Sequence, residues 1–488
     1  MTTPSVQPLF FGQSGQRLFG TYHPANTTSG DVALLICAPF GNEDVCAYKS
    51  LGKVAQAAAE HHIPTLRFDY TGCGNSEGDE HTPRLVQAWL DNIVEACATL
   101  RQLSGAKHVV LLGLRLGAML ATLAAPRCSG ARDLMLIAPV VSGRAYLREL
   151  KALHLAGEAT ALLQPNADDT PAPFESGGFV IADETHAVLS ALDLLQLPAA
   201  PAPSMLLIDR DDLPGAQRLA NHMQALGMAV EQTRLVGYAD MMADPHLAIT
   251  PPTLAQIVLA RIQQLPPLAA QAIPEPSDAP LPPPSPMLQT VAGHHAQATH
   301  DTVTRIGDMP ALFGILSTPS DQAQCQRPHL GILMLNAGAV RQIGPNRMYV
   351  TSARQWAREG RTVLRLDIAG LGDSPAHPGQ PDNVVYSDTA LDDVATAIAL
   401  LTVSDTRGPE DDTSGDFLAG RIRDKGHHLI ARAIEKDDVP RLTSRINDWL
   451  DDPRVDCIIT TGGTGLTGRD VTPETLVKIR EDNQGKDI

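Results

Sequence analysis

One ten-residue phrase occurs twice in this chain, and it limits the folds available more than any other feature. Arg67-Phe68-Asp69-Tyr70-Thr71-Gly72-Cys73-Gly74-Asn75-Ser76 returns 298 residues later as Arg365-Leu366-Asp367-Ile368-Ala369-Gly370-Leu371-Gly372-Asp373-Ser374. A second echo, Leu35-Ile36-Cys37-Ala38-Pro39-Phe40-Gly41 against Met334-Leu335-Asn336-Ala337-Gly338, lies just upstream of each. Self-similarity of this kind predicts two copies of one supersecondary unit. Around the first copy, short apolar runs at 32–38, 64–68, 109–113, 133–138, 205–209 and 230–236 alternate with helical stretches near 50–60, 85–103, 116–125 and 217–226. That alternation is the sign of a doubly wound α/β sheet. The Ala-, Pro- and Gly-rich stretch from about 139 to 203 interrupts it, and an insertion there is expected to cap the strand ends.

Residues 266–286 contain Pro266-Pro267, Pro274, Pro276, Pro280 and Pro282-Pro283-Pro284, a composition that favours extended polyproline over a packed element. A chain of 488 residues is expected to hold two to four domains. The boundaries predicted here are 1–265, a linker at 266–290, 291–399 and 400–488. With 55 acidic against 38 basic residues and a net charge of −17, neither nucleic acid nor an anionic membrane is an expected partner. The seven cysteines (37, 46, 73, 97, 128, 325 and 457) form no C-x-x-C pair and no metal spacing, so a reduced cytoplasmic protein without a metal centre is expected. The N-terminus lacks signal-peptide order, and no apolar run approaches the roughly 18 residues of a membrane span.

The last 90 residues change pattern. Strands are expected at 399–403, 428–434 and 455–459, with helices at 416–425 and from Asp438, whose Leu442, Ile446, Trp449 and Leu450 fall at core spacing. The third strand runs into Thr460-Thr461-Gly462-Gly463-Thr464-Gly465 and on to Gly468-Arg469-Asp470-Val471-Thr472-Pro473-Glu474. Glycines between a strand and a capped helix let backbone N–H groups turn toward an anion, so this loop reads as a phosphate cradle. Three parallel strands would bring Ser404-Asp405, Asp437-Asp438 and the glycine loop with Asp470 to one rim, where open α/β sheets bind ligands.

The repeated turn resembles the loop after an early strand of α/β-hydrolases, in particular the paired hydrolase-like proteins of exosortase and exopolysaccharide systems. The resemblance covers about residues 5–260 and 300–400. That fold needs a nucleophile on a tight turn, usually G-x-S-x-G, with a His base and an orienting acid. Here the turn reads Gly113-Leu114-Arg115-Leu116-Gly117. A guanidinium stays protonated and cannot attack a carbonyl, so Arg115 either holds an anionic group at the strand end or sits in a structural salt bridge. The resemblance puts the other triad candidates at Asp209, with Asp211 and Asp212 beside it, and at His246, which without a nucleophile reads as a retained or structural histidine. No nucleophile turn follows the second copy.

The C-terminal segment resembles the MoaB/MogA molybdopterin-binding family. The resemblance rests on Thr402-Val403-Ser404-Asp405-Thr406-Arg407, Asp411-Asp412-Thr413-Ser414-Gly415, and the two glycine-bearing stretches just quoted. It implies molybdopterin as ligand and, in the adenylylating branch, ATP and Mg²⁺. Gly462, Gly463, Thr464 and Gly465 would surround the pterin phosphate with Ser404 and Asp405 beside it. Asp437 and Asp470 match the acidic positions of the transfer step, where paired carboxylates suit Mg²⁺ placement. A homotrimer is the implied assembly. The family domain runs beyond this segment, so the resemblance implies two partial domains joined at 399–403, as a fusion or frameshift would leave them. The expected class is α/β and multidomain: α/β-hydrolase-like parallel sheets followed by a partial MoaB/MogA-like domain. The expected function is molybdenum cofactor biosynthesis. Its rivals are a catalytically inactive hydrolase-like protein and a non-catalytic anion-binding protein.

Overall fold

The computed structural model describes residues 6–13, 15–25, 31–160, 174–265, 287–291, 298–306, 311–320, 331–385, 398–403, 419–420, 429–435, 444–445, 448–449 and 457–462. Two compact units emerge, one of residues 1–156 and 166–286, the other of residues 157–165 and 287–488.

The first unit is built on an eight-stranded sheet. Its strands are β1 (Gln7–Phe11), β2 (Leu18–His23), β3 (Val32–Cys37), β4 (Thr65–Phe68), β5 (His108–Leu114), β6 (Ala131–Ile137), β9 (Ser204–Arg210) and β10 (Ala229–Leu235), ordered β1-β2-β4-β3-β5-β6-β9-β10. β2 pairs antiparallel with both β1 and β4, and from β4 onward the pairs are parallel. The central strands β3 and β5 are largely apolar because both of their faces are covered, whereas the edge strand β10, with Glu231, Gln232 and Arg234, is polar and mostly exposed. Side-chain alternation sorts Leu35, Leu111, Leu134 and Leu207 to one core with Trp89 and Ile93 of α2 (Leu85–Ser104) and Met119 of α3 (Leu116–Ala124). Leu34, Val110, Met135 and Ile208 face the other core, with Leu51 and Val54 of α1 (Asn42–Glu60) and Val258 of α8 (Leu254–Gln264). The interrupting stretch supplies α4 (Gly143–Thr160), the hairpin β7–β8 (Phe174–Ser176, Phe179–Ile181) and α5 (Asp183–Ala191). Two further helices, α6 (Gln217–Ala225) and α7 (Tyr238–Met241), follow β9 and β10. The antiparallel start and most of the cap helices have no periodic signal strong enough to read from sequence.

The second unit opens on β11 (Met287–Val291), β12 (Ala298–Ile306), β13 (Leu312–Pro319), β14 (Gly331–Met334) and β15 (Thr362–Leu366), ordered β11-β12-β13-β15-β14, with α9 (Met348–Arg358) between β14 and β15. Only β14 and β15 are parallel. A separate three-stranded parallel sheet has the order β17-β16-β18, from β16 (Ile398–Val403), β17 (Leu429–Glu435) and β18 (Cys457–Gly462). β16, the strand at the join of the two patterns, thus pairs on both sides with C-terminal strands. β18 also runs further than expected, taking in Thr460, Thr461 and Gly462. The helices expected at 416–425 and from Asp438 lie largely outside the described residues.

The repeated phrase has one structural meaning in both copies. In the first, the amide of Asn75 donates to Asp69 Oδ2 at 2.8 Å, Ser76 Oγ donates to the Asp69 carbonyl at 2.6 Å, and the Phe19 amide donates to Ser76 Oγ at 2.9 Å. In the second, the amide of Asp373 donates to Asp367 Oδ2 at 2.9 Å, Ser374 Oγ to the Asp367 carbonyl at 2.5 Å, and the Phe313 amide to Ser374 Oγ at 2.8 Å. Gly74 (φ 47°) and Gly372 (φ 49°) sit where a Cβ would collide with the Asp69 or Asp367 carboxylate. Asp, Gly and Ser are therefore kept together by a turn that ties a strand end to its antiparallel neighbour. None of the three is exposed as a reacting group.

Among the described residues no helix is long and apolar enough to cross a membrane.

Candidate functional site

Strand β5 ends in a turn shaped for a nucleophile. Arg115 occupies φ 52°, ψ −118°, backbone that a non-glycine residue adopts only under strain of about 1–3 kcal/mol. Its amide donates to the Ile137 carbonyl at 3.0 Å, and its carbonyl accepts from Val140 at 3.2 Å. The flanking glycines have no room for a side chain: a Cβ on Gly113 would meet the backbone of Ala118, and one on Gly117 the carbonyls of Cys37 and Ala38. The steric frame of the strand-to-helix elbow is intact, and only the residue at its tip is wrong for acyl transfer.

Arg115 is locked. Its Nε donates to Glu43 Oε1 at 2.6 Å, and a terminal nitrogen contacts Glu149 Oε2 at 2.7 Å. Tyr146 Oη donates to the other Glu43 oxygen at 2.9 Å, and the guanidinium carbon lies 5.5 Å from the centre of the Tyr146 ring. Glu43 comes from the first turn of α1, while Tyr146 and Glu149 project from α4, one turn apart on the same face. Burial pushes the Glu43 carboxyl up, against the pull of Arg115 and the bond from Tyr146. Burial also works to lower the Arg115 value, but Glu43 first, with Tyr238 and Glu149, raises it above the usual guanidinium range. The Tyr146 phenol is held well above its ordinary value by burial and then by Glu43. The Arg115 side chain is 8% exposed and that of Glu149 43%, so an outside anion would have to displace Glu149. Of the two roles open to Arg115 in the sequence, the structure supports the salt bridge.

The other hydrolase positions make contacts of their own. Asp209 accepts from the amides of Arg210, Gly215 and Ala216 at 3.0–3.1 Å, which makes it the clasp of the loop leading into α6. Asp211 Oδ2 accepts from the Gly237 amide at 3.0 Å, and Asp212 forms a two-bonded fork with Arg210. His246 is exposed, and its imidazole makes no hydrogen bond to a described residue. Tyr238, immediately after β10 and its Gly237, is the residue at that end of the sheet whose phenol feels Arg115. It is buried under Arg210, whose guanidinium carbon is 4.7 Å from its ring centre. Burial raises its phenol above the ordinary range while Arg115 opposes the rise. Glu43, Tyr146, Glu149 and Tyr238 are the residues that sequence reasoning misses. Only Gly237-Tyr238, directly after a strand, carried a usable signal.

In the C-terminal sheet, parallel register aligns Val403 with both Glu435 and Gly462, so all three strands end level at one rim. Ser404, Asp405, Asp437, Gly463, Thr464, Gly465 and Asp470 follow those ends and lie outside the described residues; Gly462 is the last residue of β18.

Comparison with known proteins separates the same two regions. Residues 41–175 match the family described as serine aminopeptidase, S33, and residues 399–486 the family described as probable molybdopterin binding domain. An α/β-hydrolase-type unit and a MoaB-like segment share this chain. The MoaB-like segment is 39% identical over 93 residues to molybdenum cofactor biosynthesis protein B of Escherichia coli K12, covering 19% of this chain and 55% of that protein. It is 43% identical over 86 residues to the protein of the same name from Staphylococcus carnosus, covering 17% and 48%. The chain thus spans about half the length of the curated relatives it matches. Among solved structures, Est1E from Butyrivibrio proteoclasticus with ferulic acid bound aligns at 16% identity with a TM-score of 0.40, over 52% of this chain and 99% of that one.

Proposed function

We propose that the chain's ligand-binding function lies in the MoaB-like segment, as a molybdopterin-binding protein of molybdenum cofactor biosynthesis. The observation that carries this reading is the family match over residues 399–486, and the level ends of three parallel strands are consistent with it. Such a rim is where open parallel sheets bind ligands. In this reading the backbone of Gly462, Gly463, Thr464 and Gly465 holds the pterin phosphate with Ser404 and Asp405 beside it. Asp437 and Asp470 would hold Mg²⁺ were ATP the second substrate, and the metal would supply charge neutralisation for adenylyl transfer. Calorimetric titration of the full chain with molybdopterin, with and without ATP and Mg²⁺, tests it. Binding with a Kd below about 100 µM is expected. Absence of heat at that protein concentration would overturn the reading.

The first unit fits a non-catalytic role. An arginine fixed by two carboxylates stands at the elbow, and the histidine expected as base is exposed. No turnover of an activated ester such as p-nitrophenyl acetate is expected. Turnover that disappears in His246→Ala would restore the hydrolase reading.

A further inference from the structure

In the first unit β3 lies between β4 and β5, with Val32 opposite His108 and Cys37 opposite Gly113. Its counterpart β14 pairs only with β15, so among the described residues one edge of β14 carries no ladder. An open edge of N–H and C=O groups on a parallel, apolar strand is a template for another strand. Within the same compact unit β18 runs beside β14, with Cα atoms of the two strands within 8 Å of each other. The free edge of β18 is also available, since β18 pairs only with β16.

We infer that β18 stands in for β5: it closes the open edge of β14 as a parallel strand and joins the two part-sheets of this unit into one. Three observations agree. The two strands have the same build, since His108-Val109-Val110-Leu111-Leu112-Gly113 and Cys457-Ile458-Ile459-Thr460-Thr461-Gly462 are both apolar or β-branched runs ending in glycine at the sixth place. The combined sheet β13-β15-β14-β18-β16-β17 then repeats the succession of strand directions in β2-β4-β3-β5-β6-β9, one antiparallel pair followed by parallel ones, although its last three strands come in a different chain order. Finally, the MoaB-like strands are all parallel to one another, as β5, β6 and β9 are. Transferring the β3–β5 register through the echo of Leu35 by Met334 puts Gly331 opposite Cys457 and Asn336 opposite Gly462. Gly462 would then stand where Gly113 opens the elbow, level with the Asn336 that holds Asp367. Two incomplete sheets would each supply the edge the other lacks. The pairing does not depend on which ligand the segment binds.

Disulfide trapping in the full chain reads the register. Adjacent strands bring opposed Cα atoms into the 4.4–6.8 Å range a disulfide needs. Diamide treatment of Gly331→Cys should link residue 331 to the native Cys457, as mapped by peptide mass spectrometry, and Met334→Cys should give no such link. A link from residue 334 instead would mean antiparallel pairing, a link between two chains would mean that a second copy fills the edge, and either overturns the proposal. Hydrogen exchange on the unmodified chain needs no substitution. All four β14 amides should be protected; if alternate amides exchange 100-fold faster than their neighbours, the edge is open and the proposal fails.

Discussion

The turns after β4 and β15 are made from the same three hydrogen bonds, yet their carboxylates sit in different surroundings. At the end of β3 stands Cys37, whose thiol is pushed up by burial. The matching place at the end of β14 holds Asn336, which donates to Asp367 Oδ1 at 2.7 Å, and the Gln342 amide donates to the same oxygen at 2.7 Å. Asp367 is fully buried, and burial together with the nearby Asp373 raises it to about 7. The turn is thus a transferable backbone device, while burial and Asp373, which stands where the first copy has Asn75, raise the Asp367 carboxyl. The comparison extends to completeness. The first copy carries a full sheet with a filled elbow, whereas among the described residues the second carries β14, β15 and the turn after β15, followed by the MoaB-like strands.

The largest expected effect lies in the first copy, whose elbow has no described counterpart in the second. Arg115→Met leaves Glu43 buried without its cation and should cost about 3–5 kcal/mol in urea unfolding of the first unit. Adding Glu43→Gln should recover much of that loss. A single substitution costing under about 1 kcal/mol would mean that Arg115 is not the structural cation described here.

The two turns are compared directly by Gly74→Ala and Gly372→Ala. Each forces a side chain into left-handed backbone and onto a carboxylate, and each should cost about 3 kcal/mol or more. Similar losses, read as falls in the melting temperature of the unit concerned, are expected. A loss confined to one unit would break the equivalence of the copies.

The difference between the copies predicts a pH dependence in the second. The folded value of Asp367, about 7, lies above the ordinary carboxylate value, so the folded state holds a proton that the unfolded chain releases. This contribution is fully present below about pH 4 and is lost as pH rises to 7, a decline of roughly a few kcal/mol. Urea unfolding across pH 4–8 should show Asp367→Asn losing this component of the slope relative to the parent chain. An unchanged slope would place the Asp367 carboxyl in its ordinary range.

The smallest effect tests the support of the elbow. Tyr146→Phe removes one hydrogen bond to Glu43 while keeping the ring beside Arg115, and a loss of about 1 kcal/mol is expected. A loss as large as that of Arg115→Met would make the phenol, and not the guanidinium, the main partner of Glu43.

Much of this organisation was legible in the residues. Continuous apolar runs located most strands of the first sheet to within a residue or two, because a strand buried on both faces cannot be polar. The elbow was legible as well, since Gly113 and Gly117 are demanded by backbone contacts close in sequence. Asp209 and His246 were the positions that the hydrolase resemblance implied. The structure gives Asp209 to a loop clasp and leaves His246 exposed, with Tyr238 nearer to Arg115. Local spacing could not reveal that, because the partners come from α1, α4 and α7.

By itself the sequence determined the duplicated Asp-Gly-Ser turn, the α/β class, the arginine at the nucleophile position and the likeness of the last segment to MoaB. These depend on backbone conformation, burial period and short motifs, all encoded within ten or so residues. Tertiary structure alone decided that Arg115 is held by Glu43 and Glu149, that Asp367 is buried with a raised carboxyl, and that β16 pairs only with β17 and β18. Each depends on groups distant in the chain meeting in a place shielded from water, where one charge or one strand edge changes what its neighbours can be.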